Sequence, residues 1–497
     1  MKENAARSAL VSSLQEKWNV AFTENGTLAH ESTLNKNLDL FAKIASARTN
    51  LNLALDLFSE AYGANKILAL RTLFWARDVR GGQGERKTFR TLLNWLAQND
   101  PKVVKANIEN IPFFGRWDDL FALVGTNLED EALNYYACQL REDQIKMVSG
   151  VGISLAAKWA PSINTSSKQT RAFGRLLCKK LGWDEKHYRQ VLSKMRAKLA
   201  LVERNLSSKE VGAIDYSAVP SRASLIYRKA FSRHDGPRYV EFLNQVAKGE
   251  KKINAAALYP YDVVGKYLSG YFNRGNAVVD QTVEALWNAL PNYLEGNEHN
   301  GLVMADISWS MFSGNTPMPI LVSLSLAIYI AERNKGKFHN SFISFTAEPK
   351  IHELSGINLA SKISHILRNT PVGYNTDFTK AFREILRVAV ERRLPQSEMP
   401  EVVYVVSDMQ FDSCGSSQTN FQQLKQDFAA CGYEMPKMVF WNVAAKSGNP
   451  ITLKDANCVL VSGCNPNIFK AVLSSRSPME MMLETLGNDR YDVVVLE

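Results

Sequence analysis

Leu302-Val303-Met304-Ala305-Asp306-Ile307-Ser308-Trp309-Ser310 is the stretch on which the fold turns. Its four leading residues are apolar and uncharged, the length of a buried strand. They run into a carboxylate followed by two hydroxyls at alternate positions. A strand buried on both faces belongs to a parallel sheet, and the carboxyl ends of such strands are where open α/β sheets bind ligands. The same texture recurs downstream. Residues 342–345, 402–406, 438–443 and 459–461 read as further buried strands, and residues 317–333, 377–393 and 420–431 between them carry helical spacing. This β-α-β order predicts a doubly wound, Rossmann-like α/β domain over residues 296–497.

Upstream the apolar period changes. From residue 36 to about 252 the apolar residues step by three and four, as in Ile67, Leu70, Leu73 and Phe74, then Phe89, Leu92, Leu93 and Leu96. Short punctuation separates these helix faces, at Gly81-Gly82-Gln83-Gly84, at Asn99-Asp100-Pro101 and from Pro112 to Gly115. The spacing predicts a HEAT-like helical array over residues 36–295, behind an N-terminal extension at 1–35. No strict period marks a regular repeat, so a bundle, an open solenoid and a closed ring all fit.

Composition sets the outer limits. Of 497 residues, 45% are hydrophobic and 22% charged, which provides full cores and excludes global disorder. The longest apolar stretch, residues 319–331, falls short of the roughly 20 residues of a bilayer span. Residues 1–14 lack the apolar core of a secretory signal. Cys138, Cys178, Cys414, Cys431, Cys458 and Cys464 form no Cys-x-x-Cys pair, as expected of reduced thiols in a cytoplasmic, intracellular protein. The net charge of +9 is lopsided. Residues 301–497 hold 18 Lys and Arg against 19 Asp and Glu, whereas the first 300 hold 41 against 31. Such an excess points to a polyanion partner, or to a basic surface kept for solubility.

One constellation carries chemistry. Asp306, Ser308 and Ser310 follow the first strand, Tyr374-Asn375-Thr376-Asp377 opens a helix from a loop, and Ser407-Asp408 ends the strand at 402–406. Three oxygen clusters on one sheet edge are the donor set of a hard divalent cation, with strand-end capping as the plain alternative. These residues resemble the metal-ion-dependent adhesion site of von Willebrand factor A domains. Asp306, Ser308 and Ser310 match its Asp-x-Ser-x-Ser element, Thr376 its loop threonine and Asp408 its strand-end aspartate. The resemblance implies that the serines and threonine contact Mg²⁺, or Mn²⁺ or Ca²⁺, while the aspartates act partly through water. It also implies that a partner carboxylate takes the open position. Trp309 departs from the pattern, standing where a small residue is usual.

A helical domain followed by an A-type domain resembles the Ro/TROVE proteins, which bind small noncoding and misfolded RNA. Four phrases are similar to a TROVE-related family of phages, bacteria and plants. They are Asp78-Val79-Arg80-Gly81-Gly82-Gln83-Gly84-Glu85-Arg86, Gly115-Arg116-Trp117-Asp118-Asp119-Leu120, Ala157-Lys158-Trp159-Ala160-Pro161-Ser162 and Ser407-Asp408-Met409-Gln410-Phe411.

Two basic stretches are candidate RNA contacts. Arg80, Arg86 and Lys87 flank a glycine-rich turn that opens a helix, a phosphate seat unless those arginines pair with Asp78 and Glu85. The turn lacks the spacing of a P-loop. Lys186, Arg189 and Arg196 fall at helical spacing, with Trp183 and Tyr188 beside them as base-stacking or core residues. The expected function is RNA binding by the helical domain without turnover, the A-type domain serving for closure or partner docking. The alternative is a metal-dependent adaptor without RNA binding. A metal-dependent hydrolase is disfavoured because no general base stands out.

Overall fold

The computed structural model describes the chain outside residues 1–8, 24–25, 275–277, 297–299, 313–316, 346–347, 370–376, 412–418, 445–448, 466–471 and 473–476. Its contacts divide it into a sheet unit, residues 1–65, 259–280 and 290–487, and a helical unit, residues 66–258, 281–289 and 488–497.

The sheet unit is built on six strands: β1 (Gly301–Asp306), β2 (Ser341–Phe345), β3 (Lys350–Glu353), β4 (Val402–Ser407), β5 (Lys437–Asn442) and β6 (Cys458–Ser462). Their order is β3-β2-β1-β4-β5-β6, with every pair parallel except the edge pair β2 and β3. All five strands read from the sequence are present. The edge strand β3 escaped that reading because Lys350 and Glu353 break its apolar pattern, as suits a strand at a sheet border. Alternation sends Leu302, Met304, Val403, Val405, Met438 and Phe440 to one face, where they pack on Phe382, Leu386, Leu424 and Phe428 from the helices Phe378–Arg392 and Asn420–Ala430. The helix Pro319–Arg333 lies against β1, and its Leu321 comes within 3.2 Å of where a side chain on Gly265 of the helix Pro260–Arg274 would begin.

The units cut across the linear boundaries expected at 35/36 and 295/296. The helix Lys36–Lys43 packs against β6, and its residues 37–43 are all buried, so it has no solvent face. The N-terminal residues are likewise tied into the sheet unit. His30 bridges Asn449, the Leu453 amide donates to Thr33 O at 3.0 Å, and the Arg48 guanidinium reaches Cys464 Sγ at 3.1 Å.

The helical unit runs through Lys66–Arg77, Arg86–Asn99, Glu129–Val148, Lys168–Leu181, Glu185–Lys198, Ser221–His234 and Gly236–Ala247, with shorter turns between them. The chain's last residues complete it. Buried Asp78 accepts from Arg490 Nε at 2.5 Å and Nη2 at 2.8 Å and from the Tyr491 hydroxyl at 3.2 Å. Tyr491 stacks on Phe114, and the Asn107 amide group exchanges two hydrogen bonds with the backbone of Val495. None of the five described cysteines forms a disulfide. Among the described residues, no helix is long and apolar enough to cross a membrane.

Candidate metal centre and nucleic-acid interface

The chain order reverses between β1 and β4, since β2 lies on one side of β1 and β4 on the other. The crevice at such a switch point is the ligand position of an open α/β sheet, and Asp306 and Asp408 stand at its two lips. Asp306 is fully buried. Its Oδ1 accepts from the Ser308 amide at 2.9 Å and its Oδ2 from Ser407 Oγ at 2.6 Å. Burial, and then the negative charge of Asp408, push the Asp306 carboxyl well above the usual carboxylate range. Asp408 is also buried, and its Oδ1 accepts from the Gln410 amide at 3.2 Å. Between them Met409 adopts a left-handed φ of 64°, a strained turn held by its amide donating to Ser407 Oγ at 3.0 Å. Thr23 and Thr27 brace the far end of this loop, both hydroxyls donating to Phe411 O, at 2.9 and 2.6 Å.

Ser308 Oγ and Ser310 Oγ lie 3.0 Å apart. The two hydroxyls hydrogen-bond to each other, and that separation is also close to the roughly 3.0 Å between two cis ligands each about 2.1 Å from an octahedral cation. The donors are hard oxygens, and two buried carboxylates at the crevice favour a positive charge there. The residues therefore fit the group. Thr376 lies outside the described residues, while the neighbouring Asp377 caps its helix by accepting from the Lys380 amide at 2.9 Å. Among the described residues no three His, Cys, Asp or Glu side chains cluster, so any ion here depends on hydroxyls. Trp309 is 63% exposed and stacks on Phe312 at 5.6 Å, leaving an open aromatic plate between the two serines in sequence.

The basic candidates divide. Arg80, Arg86 and Lys87 are exposed around the glycine-rich turn. The turn itself is shaped by glycine: a side chain on Gly82 would begin 1.9 Å from Trp75 O, and Gly84 has φ 69°. Asp78 is taken by Arg490, not by an arginine of the turn's first helical residues. On the later stripe Lys186 and Arg189 are exposed, Arg189 donating to Glu185 O at 3.2 Å. Arg196 turns inward, giving Nε to Ala157 O at 2.9 Å and Nη2 to Ala160 O at 2.7 Å, which ties its helix to the segment at residues 157–160. Tyr188 is buried with its hydroxyl on Pro161 O at 2.9 Å, so it is core and not a stacking surface.

Arg77 and Arg90 also belong to the basic segment around the glycine-rich turn, but their carboxylate partners were not legible in the sequence. Arg77, Arg90, Arg116, Asp118, Asp119 and Trp159 come from the quoted phrases or their flanks and form one network in the helical unit. The signal was an Arg-rich turn and an Asp-Asp pair, but their pairing spans about 30 to 40 residues and no local pattern records it.

The arrangement defines a two-unit chain with a basic helical part and an α/β part bearing an oxygen-rich crevice. Its sequence matches two families, each described as a domain of unknown function: DUF2828 at residues 23–147 and 178–297, and DUF7788 at residues 300–492. It is also similar to a protein of Acanthamoeba polyphaga mimivirus named Uncharacterized protein L728, with 27% identity covering 94% of this chain and 87% of that one.

Proposed function

We propose that this protein binds RNA through its helical unit and holds a divalent cation, Mg²⁺ or a similar hard ion, in the crevice of an A-type sheet unit. The observation that carries the reading is the segregation of charge by compact unit. The helical unit holds 34 Lys and Arg against 23 Asp and Glu, a net +11, and the sheet unit 25 against 27, a net −2. A polyanion whose phosphates are neutralised by Lys and Arg releases counterions, so a basic unit of this kind gains affinity for RNA in a salt-dependent way. The resemblance to Ro/TROVE proteins supports the same partner class, small noncoding or misfolded RNA.

The test is fluorescence anisotropy of the full chain with labelled structured and single-stranded RNA between about 50 and 200 mM salt. Binding that weakens steeply with salt is expected. Absent or salt-insensitive binding would favour the adaptor reading instead, in which the cation accepts a partner's carboxylate. Exposed Trp309 beside the serines is the observation that favours that second reading.

A further inference from the structure

Three segments of the helical unit meet at one group of charges: the helix Arg86–Asn99, the turn Trp117–Leu123 and the helix Ala156–Trp159. Asp119, fully buried, accepts from Arg77 Nε at 2.7 Å, from Arg90 Nε at 2.7 Å and from the Arg116 amide at 2.9 Å. Asp118 takes Arg116 through Nε at 2.8 Å and Nη2 at 2.6 Å, and Arg90 Nη2 at 2.8 Å. The Arg116 guanidinium also lies over the Trp159 ring, 3.8 Å from its centre. Arg90 and Arg116 are thus held rigidly, with their rotamers fixed by carboxylates and an aromatic face.

Arg86 is different. It is exposed one helical turn before Arg90, and it forms no ion pair or hydrogen bond with a described residue. Burial, and then the like charges of Arg116 and Arg90, lower its proton affinity, and the attraction of Asp118 and Asp119 only partly offsets them. The group holds four guanidiniums against two carboxylates. A network whose task is only to hold the fold has no need of the exposed fourth arginine, which makes no ion pair in it and meets more repulsion than attraction there. An excess of positive charge suits a phosphate group, and planar guanidinium forks match its oxygens.

We propose that Arg86 and Arg116, with Arg90 behind them and Lys87 at the rim, form a seat for a phosphate group of bound RNA. The seat rests on the RNA-binding reading and sharpens it, because it adds Arg116 and Arg90 to the contact surface. Either an internal phosphodiester or a terminal phosphate of the strand supplies the same chemistry.

The experiment compares the full-length wild type with Arg86→Gln and Arg86→Lys, using a short single-stranded RNA labelled at its 3′ end and bearing a 5′-phosphate or a 5′-hydroxyl. One phosphate contact on single-stranded RNA contributes a salt slope of about 0.7, equivalent to about fivefold in affinity at 0.1 M relative to 1 M salt. Arg86→Gln should therefore bind about fivefold more weakly, with the slope reduced by about 0.7. Arg86→Lys should keep the slope and lose part of the affinity. Neither should melt earlier than wild type, since Arg86 is exposed and makes no ion pair or hydrogen bond with a described residue that either change would break. Loss confined to the 5′-phosphate RNA assigns the seat to a strand end, and equal loss on both assigns it to the backbone. If wild type binds RNA and Arg86→Gln binds it with the same affinity and slope, the seat is wrong and the RNA reading stands. If wild type binds no RNA, that reading fails and the seat is judged with inorganic pyrophosphate. A thermal upshift in wild type that Arg86→Gln lacks sustains it, and no upshift ends it.

Discussion

Replacing Asp119 with Asn should unravel the helical unit first. Arg77 and Asp119 are 2% and 0% exposed, and the carboxylate accepts from two buried or half-buried guanidiniums and one amide. Asparagine offers one acceptor. Its best orientation keeps oxygen toward Arg77 and the Arg116 amide, which turns the NH₂ group against Arg90 Nε, donor facing donor. The charge of Arg77 then remains buried without its counter-ion. Breaking one side of a buried pair costs about 3–5 kcal/mol. For a unit of about 200 residues, each kcal/mol lowers the melting temperature by about 2–4 °C, so the transition should fall by about 6–20 °C. Calorimetry at pH 7 with added sulfate absent would read it. Gly115→Ala should act in the same direction, because its Cβ would sit 2.3 Å from Asp119 Oδ2 and 2.9 Å from Arg77 Nε. The joint change Arg77→Met, Asp119→Leu should recover much of the loss, as apolar replacements of buried pairs do. An Asp119→Asn protein melting within 2 °C of wild type would refute the view that this pair holds the unit together.

Other outcomes are open to direct measurement. Asp306→Ala combined with Ser308→Ala should lower Mg²⁺ affinity at least tenfold in a calorimetric titration, and equal affinity would remove the metal assignment. Arg490→Gln should destabilise the helical unit by about 2 kcal/mol in urea unfolding, less than a fully buried pair because Arg490 is partly in solvent while Asp78 is not. His352, buried on β3 opposite Phe342 of β2 with Nε2 2.7 Å from Ser344 Oγ, has its pKa pushed down to about 4 by burial and then by Lys350 and His365. The unfolded chain takes up that proton near 6.5 and the folded one does not. Stability is therefore intact above about pH 6.5 and falls as the pH drops toward 4, and His352→Gln should flatten that fall in melting curves at pH 5 and 7.

The crevice was legible in the sequence because each part of it is local. A charge-free run that ends in Asp306 or in Ser407-Asp408 declares both a buried strand and its carboxyl end, and parallel packing then lines those ends up. The Ser308 and Ser310 hydroxyls needed only two residues of chain to reach 3.0 Å. The basic surface was less legible. Helical spacing put Arg189 and Arg196 on one stripe, yet Arg196 is spent on carbonyls of residues 157 and 160, a partnership nothing in the stripe's own pattern announces.

What the amino-acid sequence determined by itself was the alternation of strand and helix after residue 300, the helical period before it, and the oxygen cluster at the strand ends. Those follow from side-chain periodicity and composition within a few residues. Only the tertiary structure decided that residues 36–65 belong with the sheet, that the last ten residues complete the helical unit, and that Asp119 gathers Arg77 and Arg90 while Arg86 is left outward. The physical reason is range. Burying the helix Lys36–Lys43 against β6, or closing Asp78 on Arg490 across 412 residues, gains its free energy from desolvation and charge pairing between distant segments, and neither leaves a mark on the local pattern.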